Sequence, residues 1–561
     1  MDGRVSRRRM MSLACATAVS WAATGLGAAD ARPPEIVPLR LIAFGDLHGS
    51  LLPPHGTRSE VVRSDGESVP AGGAAYLAAY VRQLRGQAEH SVLYSVGDAW
   101  GSSPLESAMF HDEPTVELLN ALNLNALALG NHEFDHGQAE LRRLRDGGCH
   151  PEGCRYVDPF EGAEFPIVGA NLSTTDGSPA ALPFSVDYID GVPVGVIGVL
   201  PRNTPEVIHA DAIAGLQFGD EIDAADRSAD ILDSLGVRSI VLLYKGDLPA
   251  PADHDVCDPE SGPAASVAAR VSPKVDVIVT SDGGTQFNCS FADPLGKPRT
   301  VMQGASHGRV ISVADLTIDR ESRDVIRDRT VSFNQIVTHD ITPDPQTTNF
   351  VDRAVDESAA VAGRPVGAIA ADLTRDRSAG GESALGDVIA DAQLAAAEPS
   401  GAQIALINPD GIRADLAHSG DGVVTYGQCY AVQPFGNRLQ RLEMSGAQLV
   451  AILEQQFQTD VFGATFERIL APSHTLHYSM DRAGTPGQRI HDVTIAGTPL
   501  DPAETYVVIA NDFLADGGDG FTAFTEARRT AGAGNDLEAL NNYLSSRGPV
   551  APPPADRISV R

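Results

Sequence analysis

Five short apolar runs in the first part of the chain each end on Asp, His, Asn or Lys. They are LIAFGDLHG (41–49), VLYSVGD (92–98), ALALGNHE (126–133), SIVLLYKGD (239–247) and VDVIVTSDGG (275–284). From residue 39 onward such runs alternate with stretches of helical period, the signature of an α/β layered domain. In open α/β sheets, ligands sit in the crevice beyond the carboxyl ends of the strands, so residues far apart in sequence converge there. A single Gly-Asp is a common turn; five runs ending in this way specify a site.

Helical patterning supports that layering. Leu77, Tyr80, Val81 and Leu84 fall at the i, i+3, i+4, i+7 spacing of one buried face, and an amphipathic stretch at 222–235 stops at Gly236, a residue suited to a left-handed cap. The first unit is placed at 36–335. The turn-rich string DITPDPQTTN and a helix FVDRAVDESAAVAG ending at Gly363 then form a linker at 336–364. A second unit spans 365–547, with a helix in SALGDVIADAQLAAA and another opening at the capping box Ser445 and Gln448. The Pro-rich tail 548–561 reads as mobile. With 561 residues, a single core is not expected.

Arg7, Arg8 and Arg9 precede a mildly apolar run and a small-residue cleavage site, so 1–31 reads as an export signal, of twin-arginine or plain basic type. The expected location is periplasmic or extracellular, and no stretch in the mature chain is long and apolar enough to span a membrane. Cysteine usage fits an oxidising compartment: Cys149–Cys154 and Cys257–Cys289 are the expected disulfides, with Cys429 left over. A formal charge of −32 repels nucleic-acid polymers and leaves a small ligand as the expected partner.

Asp46, His48, Asp98 and Asn131 are oxygen and imidazole ligands of the kind that hold Mn, Zn, Fe or Mg. Two such ions about 3.5–4 Å apart clamp the attacking and leaving oxygens of a phosphoryl displacement. His132, with Asp135 three residues on, has the makings of an oriented proton donor or charge stabiliser. GDLHG, GDAWGSSP and GNHEFD, in this order, resemble the calcineurin-type metallophosphatase domain of the secreted 5'-nucleotidase family. GESALGDVIADAQ, INPDGIRADL, VQPFGN and NDFLADGGDGF resemble that family's C-terminal substrate domain. The resemblance implies a four-layered α/β metallophosphatase domain followed by a smaller α/β domain, the site lying between them.

Carried over by position, the resemblance makes Asp46, His48 and Asp98 ligands of one divalent ion, and Asp98 and Asn131 ligands of a second. It makes His132 and Asp135 the catalytic pair. Phe435 and Phe513 match the rings that sandwich a base, and Asn408, Arg413 and Asp519 match polar contacts to the nucleotide. Arg375 or Arg377 supplies a further cation.

Three expected histidines are replaced, by Lys245, Asp282 and Gly284. Protonated Lys has no lone pair and Gly no side chain, while Asp282 still offers oxygen. The expectation is one or two weakly held divalent ions, Mn, Zn, Fe, Mg or Ca. Lys245 either supplies the charge of a missing ion or pairs with Asp282 or Asp98 and closes the site; His254 or His307 are the available substitute ligands. Asp410 replaces a family Gly beside the expected nucleotide contacts. Two functions stay open: an exported phosphohydrolase of nucleotide phosphomonoesters or related phosphoesters, and a non-catalytic nucleotide or nucleoside binder.

Overall fold

A computed structural model describes residues 35–55, 59–246, 254–257, 262–460, 463, 465–530, 532 and 534–561. The expected export signal lies outside these residues.

The N-terminal half is built on two sheets. One runs Asp324–Val325, Val310–Asp319, Ile36–Phe44, Ser91–Ser95, Ala126–Ala128 and Ile167–Val168, with Val331–Ile336 also on Val310–Asp319. The other runs Phe287–Ala292, Pro298–Gln303, Val277–Ser281, Ser239–Lys245, Val192–Val199 and Phe184–Ile189. Strand alternation explains how they face each other. Val37, Leu39, Leu41 and Ala43 point into a core shared with Val194, Val241 and Val277 of the second sheet, whereas Ile42 and Phe44 turn to the helical side. Helix Ala74–Gly86 covers that side with Leu77, Tyr80, Val81 and Leu84, the face expected from its spacing. Helix Glu221–Ser234 covers the outer face of the second sheet through Ala225, Ala229 and Leu232, and Gly236 follows at φ 79°. The result is the expected four layers, helix, sheet, sheet, helix.

Helix Pro345–Ala362 leads to a C-terminal half with a mixed five-stranded sheet (Ala471–Pro472, Ile404–Ile407, Thr505–Asn511, Leu439–Ser445, Arg528–Thr530) and a four-stranded one. Helix Ala384–Ala397 starts at its Ser383 cap, and helix Gly446–Glu454 has the full Ser445–Gln448 capping box. Both expected disulfides form, and Cys429 is buried and free. Among the described residues, no helix is long and apolar enough to cross a membrane.

The tail corrects an expectation. Rather than being mobile, Ile558–Val560 pairs in parallel with Tyr478–Met480, and Val550 exchanges backbone hydrogen bonds with Ala368 and Ala370. Buried Arg557 donates to the carbonyls of Asp387 and Pro472 and to the Asp391 carboxylate. Proline content misleads here because one buried cation and one apolar strand residue, Ile558, anchor the segment.

Beside Arg557, neither carboxyl oxygen of buried Asp387 accepts a hydrogen bond, and burial pushes the group up to about 8 against the pull of Arg557, whose Nε lies 3.6 Å away. A carboxyl with a raised folded pKa holds its proton in the fold after the unfolded chain has lost it. Stability therefore falls as pH rises from about 4 toward 8. Asp387→Asn is expected to raise Tm at pH 8 and to leave it unchanged near pH 4, measured by thermal unfolding across pH.

Candidate active site at the strand ends

The two sheets approach closely at their carboxyl ends. Ser281 Oγ donates to the carbonyl of Val96 at 2.5 Å, and a Cβ on Gly45 would lie 2.4 Å from that of Ser281, so only glycine lets the chain pass. There the turns carrying Asp46, His48 and Asp98 zip together: the N–H groups of Asp46 and His48 donate to the carbonyls of Gly97 and Asp98 at 3.0 and 2.9 Å. Asp46, His48 and Asp98 all sit at positive φ, 48–49°, a conformation non-glycine residues hold only where surroundings enforce it. A Cβ on Gly130 would fall 2.2 Å from Asp98 Oδ1, so glycine at that position makes room for the carboxylate.

Glu133, to which no motif assigns a role, is what holds these turns. Its buried carboxylate accepts from the N–H groups of Asp98, Ala99 and Gly130 at 3.0, 2.7 and 2.6 Å. Its only sequence signal is its place beside His132.

His132 presents Nδ1 to Asp135 at 2.9 Å, and its backbone N–H donates to Asp98 Oδ1 at 3.0 Å. Burial opposes a charge on this ring, but Asp135 and Asp98 outweigh it and raise its pKa. His48 is the opposite case: burial, then His132 and Arg413, keep it neutral, with Nδ1 against the Gly101 carbonyl. The two rings meet edge to face, centroids 4.8 Å apart. His48, Asp98 and His132 bring ligand atoms within 4.8 Å of one another, a set able to hold one metal ion.

Beside this set the carboxylates are already engaged by a cation of the chain itself. The buried Lys245 ammonium lies 2.7 Å from Asp98 Oδ2, 2.9 Å from Asp46 Oδ1 and 3.2 Å from Asp282 Oδ1, the place a cation would take among those carboxylates. Burial works against its charge, but the three carboxylates overcome this and raise its pKa well above the ordinary value. Asp282, half-exposed, is thus turned to Lys245. Of the suggested substitutes, His307 stands near, its ring 5.7 Å from that of His48 and its Nδ1 2.9 Å from Ser50 Oγ; the His254 carbonyl instead accepts from Asn334. Asn131 immediately precedes the short helix His132–Phe134, without a capping hydrogen bond from its side chain.

The C-terminal half supplies the opposite wall. Arg413 Nε donates to Ser102 Oγ at 2.9 Å, and its Nη2 lies 3.4 Å from His48 Nε2. Half-buried Phe435 lies near-parallel to His132 with ring centroids 6.0 Å apart, and Phe513 meets His209 edge to face at 5.4 Å. Asn408 donates to Asp519 at 2.7 Å and accepts from Asn511. Arg375 Nε pairs with Asp415 at 3.1 Å, and its Nη1 donates to the carbonyl of Arg413 at 2.8 Å. Arg468, which no motif pointed to, pairs with Asp410 at 3.0 Å and reaches Asp519 at 3.6 Å. Its nearest sequence clue is Asp410 itself.

Facing sheets with ligand-type side chains at their carboxyl ends, walled by rings from a second half, define a two-domain phosphoesterase fold. A model of the 5'-nucleotidase C-terminal domain matches residues 360–526. The chain is 30% identical over 550 residues to the cell wall protein Lmo0130 of Listeria monocytogenes, covering 91% of this chain and 68% of that one. It is 29% identical over 490 residues to endonuclease YhcR of Bacillus subtilis, covering 86% of this chain but 37% of the endonuclease, about a third of its length. The solved 5'-nucleotidase precursor of Thermus thermophilus superposes with a TM-score of 0.76 at 26% identity, covering 93% of this chain and 99% of that one. The chain belongs to the 5'-nucleotidase family.

Proposed function

We propose that this protein is an exported, metal-dependent phosphoester hydrolase acting on nucleotides or closely related phosphoesters. One observation carries the reading: the His132–Asp135 pair stands against Phe435, while Arg413 reaches across to His48, so proton-transfer chemistry and a base-binding wall share one cleft. The membership of the family, whose members include nucleotidases, supports it.

Phe435 and Phe513 grip the base, with Asn408 and Asp519 at its edge. Arg413 directs its guanidinium to the phosphoryl oxygens, and His132, held by Asp135, delivers a proton to the leaving oxygen. His48 and Asp98, with Asn131 next in the chain to His132, would hold a divalent ion, which would supply Lewis acidity when bound. The basic and apolar leader supports a site of action outside the cytoplasm.

Phosphate release from a nucleotide panel with each divalent ion tests the reading. Nucleotide binding without release under any ion would instead establish the binder, the reading that Lys245 among three carboxylates favours. Base stacking is worth about 1–3 kcal/mol per base. Phe435→Ala is therefore expected to raise KM for nucleotides roughly tenfold and to leave turnover of a phosphoester without a base nearly unchanged, measured by steady-state kinetics on both substrates.

A further inference from the structure

We propose that Lys245 is a built-in cation standing in for one ion of the centre, so that this cleft takes at most one divalent ion per chain. The inference rests on the proposed function only for locating the centre. Asp46 and Asp98 lie in turns after strands of the first sheet, while Lys245 ends one strand of the second and Asp282 directly follows another. Three carboxylates thus converge on one ammonium, at 2.7, 2.9 and 3.2 Å. An ammonium has three N–H donors and no lone pair, so it satisfies these oxygens without binding a metal. Oxygen ligands of a divalent ion stand at about 2.0–2.6 Å, and an ion so close to the same oxygens would meet the ammonium's charge. The chain therefore offsets one of the cluster's three negative charges and fills the space between its oxygens before any metal arrives.

Gly284 points the same way. It sits at φ +70°, which disfavours any side chain there, and a Cβ would lie 2.8 Å from Ser306 Oγ, so a larger residue enters only if that hydroxyl turns aside.

The test counts ions. Metal-stripped full-length protein is titrated with Mn²⁺ by calorimetry, with bound metal checked by elemental analysis. A His150→Ala background is used because His111, His150 and Glu152 form another ligand cluster. The chain with Lys245 intact is expected to bind no more than one Mn²⁺. Lys245→Gln and Lys245→Ala, which leave the carboxylates facing one another, are expected to gain a further Mn²⁺ at least tenfold tighter than any second event with Lys245 present, and a larger Mn²⁺-induced rise in Tm. Two Mn²⁺ per chain with Lys245 intact overturns the proposal, as do folded Lys245 variants that gain none. If the variants fail to fold, the count with Lys245 intact decides by itself. Absence of hydrolysis with a count of one sinks the proposed function and leaves this inference standing.

Discussion

His132→Ala is expected to lower kcat for phosphate release by about 10²–10⁴-fold, the range a positioned proton donor contributes, with KM changed far less. The ring has the placement this requires: Asp135 holds Nδ1 at 2.9 Å, leaving Nε2 as the nitrogen for transfer, and Asp98 adds a second negative charge beside it. Loss in kcat without loss in KM is the sign of an interaction made in the transition state. Asp135→Asn keeps the side chain's size while removing its charge, so a smaller fall in kcat is expected. Steady-state kinetics on a nucleotide measures both; wild-type kcat in His132→Ala means the ring moves no proton.

Arg557→Met is expected to cost about 3–5 kcal/mol, as removal of one partner from a buried charge pair does. Its guanidinium is 4% exposed and faces Asp391 at 2.9 Å, the Pro472 carbonyl at 2.6 Å and Asp387 at 3.6 Å. Methionine fills the space but leaves Asp391 without that charge and the Pro472 carbonyl without its donor. The C-terminal half should melt on the order of 10 °C lower, with Arg557→Lys between the two. Truncation at residue 547 removes Ile558 as well and should destabilise at least as much. Thermal unfolding of the three variants checks this, and an unchanged Tm in Arg557→Met would mean the tail does not brace the domain.

Much of this molecule was legible beforehand because its signals are local. Each strand announces itself by an apolar run with a polar end, Leu77, Tyr80, Val81 and Leu84 mark one helix face, and Ser445 with Gln448 marks a helix start. Glu133, Arg468 and Arg557 escaped notice since a lone charge in a sequence gives no clue whether it will be solvated or buried. Nor does the sequence say that Arg375 pairs with Asp415, 40 residues on.

The sequence by itself determined the α/β layering, the order of the strand ends, and which side chains collect there, because hydrophobic period and turn chemistry are properties of neighbouring residues. Only the tertiary structure decided what Lys245 does. Its partner Asp46 lies 199 residues away, in a turn after a strand of the opposing sheet, and Arg413 meets Ser102 across 311 residues. Whether an ammonium is taken up by carboxylates or left for a ligand depends on how closely two sheets pack at their ends, and that distance is set by the core between them.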